Sequence, residues 1–168
     1  MKTLLLSLAA LLASCASAPD ADTDASETPA AASRMSPFLM FTDGGAADAM
    51  DYYASLFDDS EILQKDLFGP GEAGVEGTVM FGMIRIAGQR LLFTDAPPGR
   101  DMGFNPSFSL FVDCESVEEI ERLAATLAEG GMMIMPLGEY GWSDRFGWVQ
   151  DRNGLSWQLN LDLSEPEQ

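Results

Sequence analysis

The chain repeats itself, and that limits its folds more than any other feature. Phe38, Met40, Phe41 and Asp43 recur 70 positions later as Phe108, Leu110, Phe111 and Asp113. Asp48, Met50, Asp51, Tyr53, Ala54 and Phe57 recur as Glu118, Ile120, Glu121, Leu123, Ala124 and Leu127. The spacing then shortens to 66, where the stretch from Gly88 to Phe93 meets that from Gly154 to Leu159. Position-by-position character is kept, turn glycines included, which chance matching of two amphipathic stretches would not achieve. Two like modules are the consequence.

The periodicities agree within each half. Phe38–Thr42 and Phe108–Val112 read as strands by alternation and aromatic content. Ala46–Phe57 and Val117–Leu127 carry apolar residues at helical spacing, the second with Ser116 and Glu119 as a capping pair and Gly130-Gly131 as its stop. Three strands follow each helix, near Glu61–Phe68, Val75–Ile86 and Gln89–Asp95, then near Met132–Leu137, Arg145–Gln150 and Leu155–Leu161. The expected class is α+β: two βαβββ modules, about residues 36–95 and 106–162, whose mixed and antiparallel sheets cup into a half-barrel.

The first 35 residues stand apart. Met1-Lys-Thr, a leucine-rich run and small residues up to Cys15 describe a signal peptide over 1–14, too short to span a bilayer. Leu12-Ala-Ser-Cys15 resembles the bacterial lipoprotein box, which implies lipidation of Cys15; ordinary signal cleavage nearby is the alternative. By the same resemblance Ala16 directs the anchor to the outer membrane, facing the periplasm. Residues 15–35, rich in Ala, Ser, Thr, Pro and Asp, lack the apolar bulk to offset ordering entropy and read as a tether. Asp20, Asp22 and Asp24 alternate like part of a calcium loop, without its glycine or closing glutamate. The domain is expected over 36–168.

Charge and missing residue types exclude several functions. With 27 acidic against 9 basic side chains, the net charge of −18 repels phosphate backbones, so no nucleic-acid partner is expected. No histidine is present, which removes every triad, dyad or metal site that needs an imidazole. Cys114, the only other cysteine, leaves no internal disulfide and has no basic neighbour in sequence to activate it.

Alternation assigns the faces. Leu155, Trp157, Leu159 and Leu161 are expected in the core, with Ser156, Gln158, Asn160 and Asp162 opposite. Phe108, Leu110 and Val112 should likewise point inward, leaving Ser107, Ser109 and Phe111 on the other surface. Carried through the repeat, that surface includes Pro37, Leu39, Phe41, Arg90, Leu92 and Thr94. It suits either a small-molecule cavity or a packing surface for another module or subunit.

The paired modules resemble the vicinal oxygen chelate superfamily of glyoxalases, extradiol dioxygenases and bleomycin-resistance proteins. More narrowly they resemble its PhnB-like branch, labelled 3-demethylubiquinone-9 3-methyltransferase-like. Pro37–Phe41, Ala49–Phe57 with Asp59–Ile62, Phe108–Asp113, Gly130-Gly131, Met135–Glu139, and Asp144–Asp151 running on to Gln158 carry the likeness, which spans the chain after residue 35. The lipoprotein leader departs from it. The resemblance implies metal ligands on the first and last strands of each module, here Pro37, Leu92, Ser107 and Gln158, of which only Gln158 coordinates at all. No metal or other cofactor is therefore expected. The methyltransferase label lacks support from a strand–helix glycine loop, since Gly69–Gly74 falls between strands.

Three functions are compatible with this reading. One is a metal-free module that binds or sequesters a small, partly apolar molecule through Arg90, Leu92, Ser107, Ser109, Gln158, Asn160 and Trp148. The second is an enzyme of the superfamily using Glu139 or Asp144, which cluster with Arg145, Tyr140 and Trp142, as acid or base; a surface Asp–Arg contact explains the same cluster. The third is a structural envelope component. A homodimer is expected, because relatives pair modules across subunits. Met80, Met83, Met132, Met133 and Met135 read as core filler.

Overall fold

The computed structural model describes residues 34–100 and 102–163. The signal peptide, Cys15 and nearly all of the tether lie outside them. Strand β1 (Phe38–Phe41), helix α1 (Ala46–Ala54), and strands β2 (Glu61–Leu67), β3 (Val79–Ile86) and β4 (Gln89–Asp95) form the first module. Strand β5 (Ser109–Asp113), helix α2 (Val117–Ala128), and strands β6 (Met132–Gly138), β7 (Arg145–Gln150) and β8 (Ser156–Leu161) form the second. Each builds a four-stranded mixed sheet, ordered β1-β4-β3-β2 and β5-β8-β7-β6. The first strand runs parallel to the last, and the remaining pairs are antiparallel. The duplication is thus one of topology, and the α+β class holds. No helix among the described residues is long and apolar enough to cross a membrane.

The two helices start differently. The Ser116 hydroxyl accepts from the Glu119 amide at 3.1 Å, and the Glu119 carboxylate reaches back to the Glu115 amide at 2.7 Å. Helix α1 has no such side chain of its own. Its cap comes from β4, where Asp95 accepts from the Ala46 amide at 3.0 Å and from the Val79 amide at 2.7 Å. Helix α1 ends at Ala54, short of the predicted Phe57, although Leu56 and Phe57 still bury their side chains. Strand β3 begins at Val79, not Val75, because Gly77 turns with φ +84° and its amide bonds back to the Phe68 carbonyl. The β3–β4 hairpin closes on Ala87 and Gly88, both at positive φ, as a two-residue turn of primed type demands.

Strand β1 presents the face opposite to the predicted one. Parallel pairing sets Phe38 beside Leu92 and Leu39 beside Phe93, so Leu39 and Phe41 join the core at 3% and 4% exposure. Phe38 and Met40 take the outer face. Two further expectations fail at the margins. Phe108 precedes β5 and is half exposed. Of the five methionines read as filler, only Met133 packs on the core, while Met80 and Met132 are exposed; the methionine fully buried is Met50.

The modules are joined by polar contacts as well as packing. The Tyr52 hydroxyl donates to the Thr126 carbonyl at 3.0 Å, and Arg122 donates to the Leu56 carbonyl at 2.7 Å. Asp151, buried to 3% exposure, accepts four hydrogen bonds: from Tyr53 Oη of α1, Trp157 Nε1 of β8, and the Asn153 and Leu155 amides. Burial pushes the Asp151 carboxyl above its ordinary range, against the pull of those donors.

Candidate functional site

Helix α2 packs on one face of the second sheet against β6, β7 and β8, and that face carries Leu110, Val112, Val149, Trp157 and Leu159 into the core. The other face is open and is organised in three registered rows across β5, β8 and β7. The first row is Ser109–Ser156–Gln150, the second Phe111–Gln158–Trp148 and the third Asp113–Asn160–Phe146. Of the residues predicted from alternation for this face, Ser109, Phe111, Ser156, Gln158 and Asn160 lie on it and Trp148 joins them, while Ser107 and Asp162 fall outside the strands.

Their hydrogen bonding divides them. Trp148 Nε1 donates to Ser156 Oγ at 2.7 Å, and Ser156 Oγ lies 2.8 Å from Ser109 Oγ in a second bond. Asn160 is spent on structure: its amide nitrogen donates to Asp113 at 2.9 Å, and its oxygen accepts from Ser143 at 2.6 Å. That last bond ties the β6–β7 connection to β8. Gln158 makes no side-chain bond among the described residues, and it sits half-buried between Phe111 and Trp148. Phe111 is 55% exposed.

The first sheet offers a different surface. Its outer row Phe38–Leu92–Met83 is wholly apolar, and Met40 stands beside Thr94, whose hydroxyl is bound to the Met80 carbonyl at 2.9 Å. Arg90, half-buried, lies on this side, next to Arg85, which pairs with Glu61 at 2.7 Å. Ser107 is not on a strand at all. It occupies the exposed turn before β5, bonded to Asn105, because β5 begins only at Ser109, one residue after the predicted Phe108. A cleft of about 290 Å³ opens between the Ala87–Gly88 turn and β5. It is lined by core side chains such as Phe57, Leu91 and Val112, with Phe111 at its edge.

Glu139 and Asp144 are exposed. Asp144 accepts from the Leu163 amide at 2.7 Å, and Arg145 turns to the helix side to pair with Glu121 of α2. The expected Glu139–Asp144–Arg145 cluster is therefore not assembled. Tyr140, Trp142 and Phe146 do pack together, with Trp142 and Phe146 centroids 4.6 Å apart. Cys114 is buried, and burial raises its thiol pKa to about 12.

The positions at which the superfamily would hold a metal do not fit one. Pro37 contributes its carbonyl to Leu92, Ser107 is in a turn, and the outward residues of the first strands are Phe38, Met40, Ser109 and Phe111. A divalent ion needs several carboxylate, imidazole or thiolate donors, and Gln158 alone supplies one amide oxygen. Among the described residues no three acidic or thiol side chains come together for a metal. The Gly69–Gly74 segment joins antiparallel β2 and β3, so it opens no helix that could receive a cofactor phosphate.

Sequence reading did not single out Ser156 and Asp151. Ser156 looked like an outward polar residue, yet neighbouring strands bury it completely. Asp151 sat in a recognisable stretch, but nothing in its spacing announces four converging donors.

Two βαβββ modules with one covered and one open face define a domain of the glyoxalase, or vicinal oxygen chelate, fold. The likeness extends to a fosfomycin resistance protein, FosX, from Listeria monocytogenes, 12% identical with a TM-score of 0.51 over 74% of this chain and 88% of that one; at that identity it speaks for the fold alone. Residues 33–160 match the 3-demethylubiquinone-9 3-methyltransferase family, and the chain belongs to that family. Protein YjdN of Escherichia coli (strain K12) is 30% identical, over 80% of this chain and 99% of its own length. The structure of a putative 3-demethylubiquinone-9 3-methyltransferase, PhnB protein, from Bacillus cereus is 41% identical, with a TM-score of 0.73 over 77% of this chain and 99% of that one.

Proposed function

We propose that this is a metal-free binding module that holds a small, partly apolar molecule on the open face of the second sheet. It is tethered to the bacterial envelope through lipidated Cys15 and works as a homodimer. The observation that carries the reading is the Gln158 amide, without a side-chain bond among the described residues, between two aromatic side chains, Phe111 and Trp148. A few placed polar groups within apolar walls are how small-molecule sites combine affinity with orientation. The apolar row Phe38–Leu92–Met83 on the outer face of the first sheet, with Phe38 half exposed, favours a second subunit there. Acid–base catalysis is the weaker reading, because Glu139 and Asp144 are exposed and lie off the registered rows.

Native mass spectrometry of the mature protein, extracted in mild detergent from a bacterial envelope, tests all three parts. The expected species is a dimer carrying a diacylglyceryl mass at its N-terminal peptide and an organic adduct, without metal. A stoichiometric divalent metal would overturn the ligand argument. An unlipidated monomer with no adduct would leave the structural role ahead.

A further inference from the structure

The bonds on the open face of the second sheet are directional. An indole N–H only donates, so Ser156 must accept from Trp148. Ser156 is completely buried, so a hydroxyl hydrogen left without an acceptor there would be costly. Among the described residues the only hydroxyl bonded to it is Ser109 Oγ at 2.8 Å, a pair in which either hydroxyl can turn to donate. The low-cost arrangement therefore runs Trp148 to Ser156 to Ser109. Three donor hydrogens serve two bonds, and the third, on Ser109, has no acceptor among the described residues. Ser109 is only half-buried and stands beside Phe111 and Gln158 on the same face.

We infer that Ser109 is the donor that recognises the ligand, and that the ligand is a neutral, ring-bearing carbonyl compound. The inference rests on the binding site proposed above. Each bond in such a chain polarises the next, so the hydroxyl at its end donates more strongly than an isolated serine. A carbonyl oxygen is the acceptor it suits. A carboxylate or phosphate would accept as well, but the chain's charge of −18 repels anions. The ring of the ligand stacks against Phe111 and Trp148, and Gln158 supplies an amide to any second polar group.

Acetophenone and ethylbenzene, one with the carbonyl and one without, serve as probes in amide and indole NMR titrations of the intact protein. Ser109→Ala should weaken acetophenone about three- to tenfold, the worth of one net hydrogen bond, and leave ethylbenzene unchanged. Ser109→Thr, which keeps the hydroxyl, should restore acetophenone binding. The carbonyl stretch of bound acetophenone should also lie lower in the native protein than in Ser109→Ala. If both probes shift Phe111 and Trp148 and Ser109→Ala changes neither affinity, the site stands and the donor assignment falls. If neither probe perturbs those residues, the site itself falls with it.

Discussion

Tyr53 donates its hydroxyl hydrogen to Asp151 Oδ2 across 2.8 Å, joining the helix of the first module to the β7–β8 turn of the second. The same oxygen accepts from Trp157, and the Asn153 side chain donates to the tyrosine oxygen at 3.1 Å. Asp151→Asn keeps the shape but sets an N–H₂ group against donors that cannot all turn away. It should cost about 2–4 kcal/mol. Tyr53→Phe removes one bond and leaves three on the carboxylate, and should cost about 1–2 kcal/mol. Urea unfolding of both variants checks the order; equal costs would mean that the carboxylate is not the hub.

The same carboxyl makes stability pH-dependent in a defined sense. Burial raises its folded pKa, so the fold holds that proton more tightly than the unfolded chain. Stability from this group is complete below the unfolded carboxyl pKa and is lost as pH rises through the raised folded value. The advantage of the native protein over Asp151→Asn should therefore shrink from mildly acid to neutral pH. Unfolding both proteins at several pH values checks this, and subtraction cancels the repulsion among the other carboxylates. A gap that widens with pH would reverse the assignment.

Cys114 is expected to be chemically silent. Its thiol is buried and its pKa is raised to about 12, first by burial and then by Glu119 and Asp113, so almost no thiolate exists near neutrality. Iodoacetamide at pH 8 should label it only after denaturant is added, as read by peptide mass mapping. Rapid labelling of the folded protein would return Cys114 to the candidate nucleophiles.

Much of the fold was legible because the repeat and the two periodicities agree. Strand β8 alternates so regularly that its buried set Leu155, Trp157, Leu159 and Leu161 follows from sequence, and Ser116 with Glu119 announces α2. What escaped were relations between strands. Helix positions keep the offset of 70, as Met50 and Ile120 show, but in the first strands Leu39 pairs with Phe93 as Val112 pairs with Leu159, an offset of 73, and the odd difference turns the strand over. One residue of slip exchanges the two faces of a strand, and local pattern does not reveal it where both faces carry large apolar residues. The site was half legible for a related reason. Alternation puts Ser109, Ser156 and Gln158 on one face, but which are bonded and which are free depends on their neighbours across the sheet.

The close approach at Gly131 gives a further test. A Cβ there would meet the Gln150 carbonyl oxygen at 2.2 Å and the Asp151 backbone at 2.9 Å. Backbone cannot yield as a flexible side chain would, so Gly131→Ala must separate β6 from the end of β7. A cost of about 1–3 kcal/mol is expected, typical of overpacking. Gly82→Ala meets the Met50 sulfur at 2.4 Å, which can swing aside, but also Phe93 Cβ at 3.1 Å; it should cost less. Thermal unfolding of the two variants checks the order.

The face of β1 can be settled by truncation. With Leu39 and Phe41 beside Phe93 and Asp95, each reaches the core, Leu39 at 3% exposure. Leu39→Ala should cost about 2–5 kcal/mol and Phe41→Ala about 3–5 kcal/mol, since each leaves a cavity in packed surroundings. Phe41 also stacks on Phe93 with centroids 5.7 Å apart and meets Phe104 edge-on at 5.1 Å. Under the offset of 70 both residues would face outward, and truncation would change stability by less than about 1 kcal/mol. Chemical unfolding of Leu39→Ala separates the two registers: a large loss fixes Phe38, Met40 and Leu92 as the outer row of the first sheet, and a small one would turn the strand over.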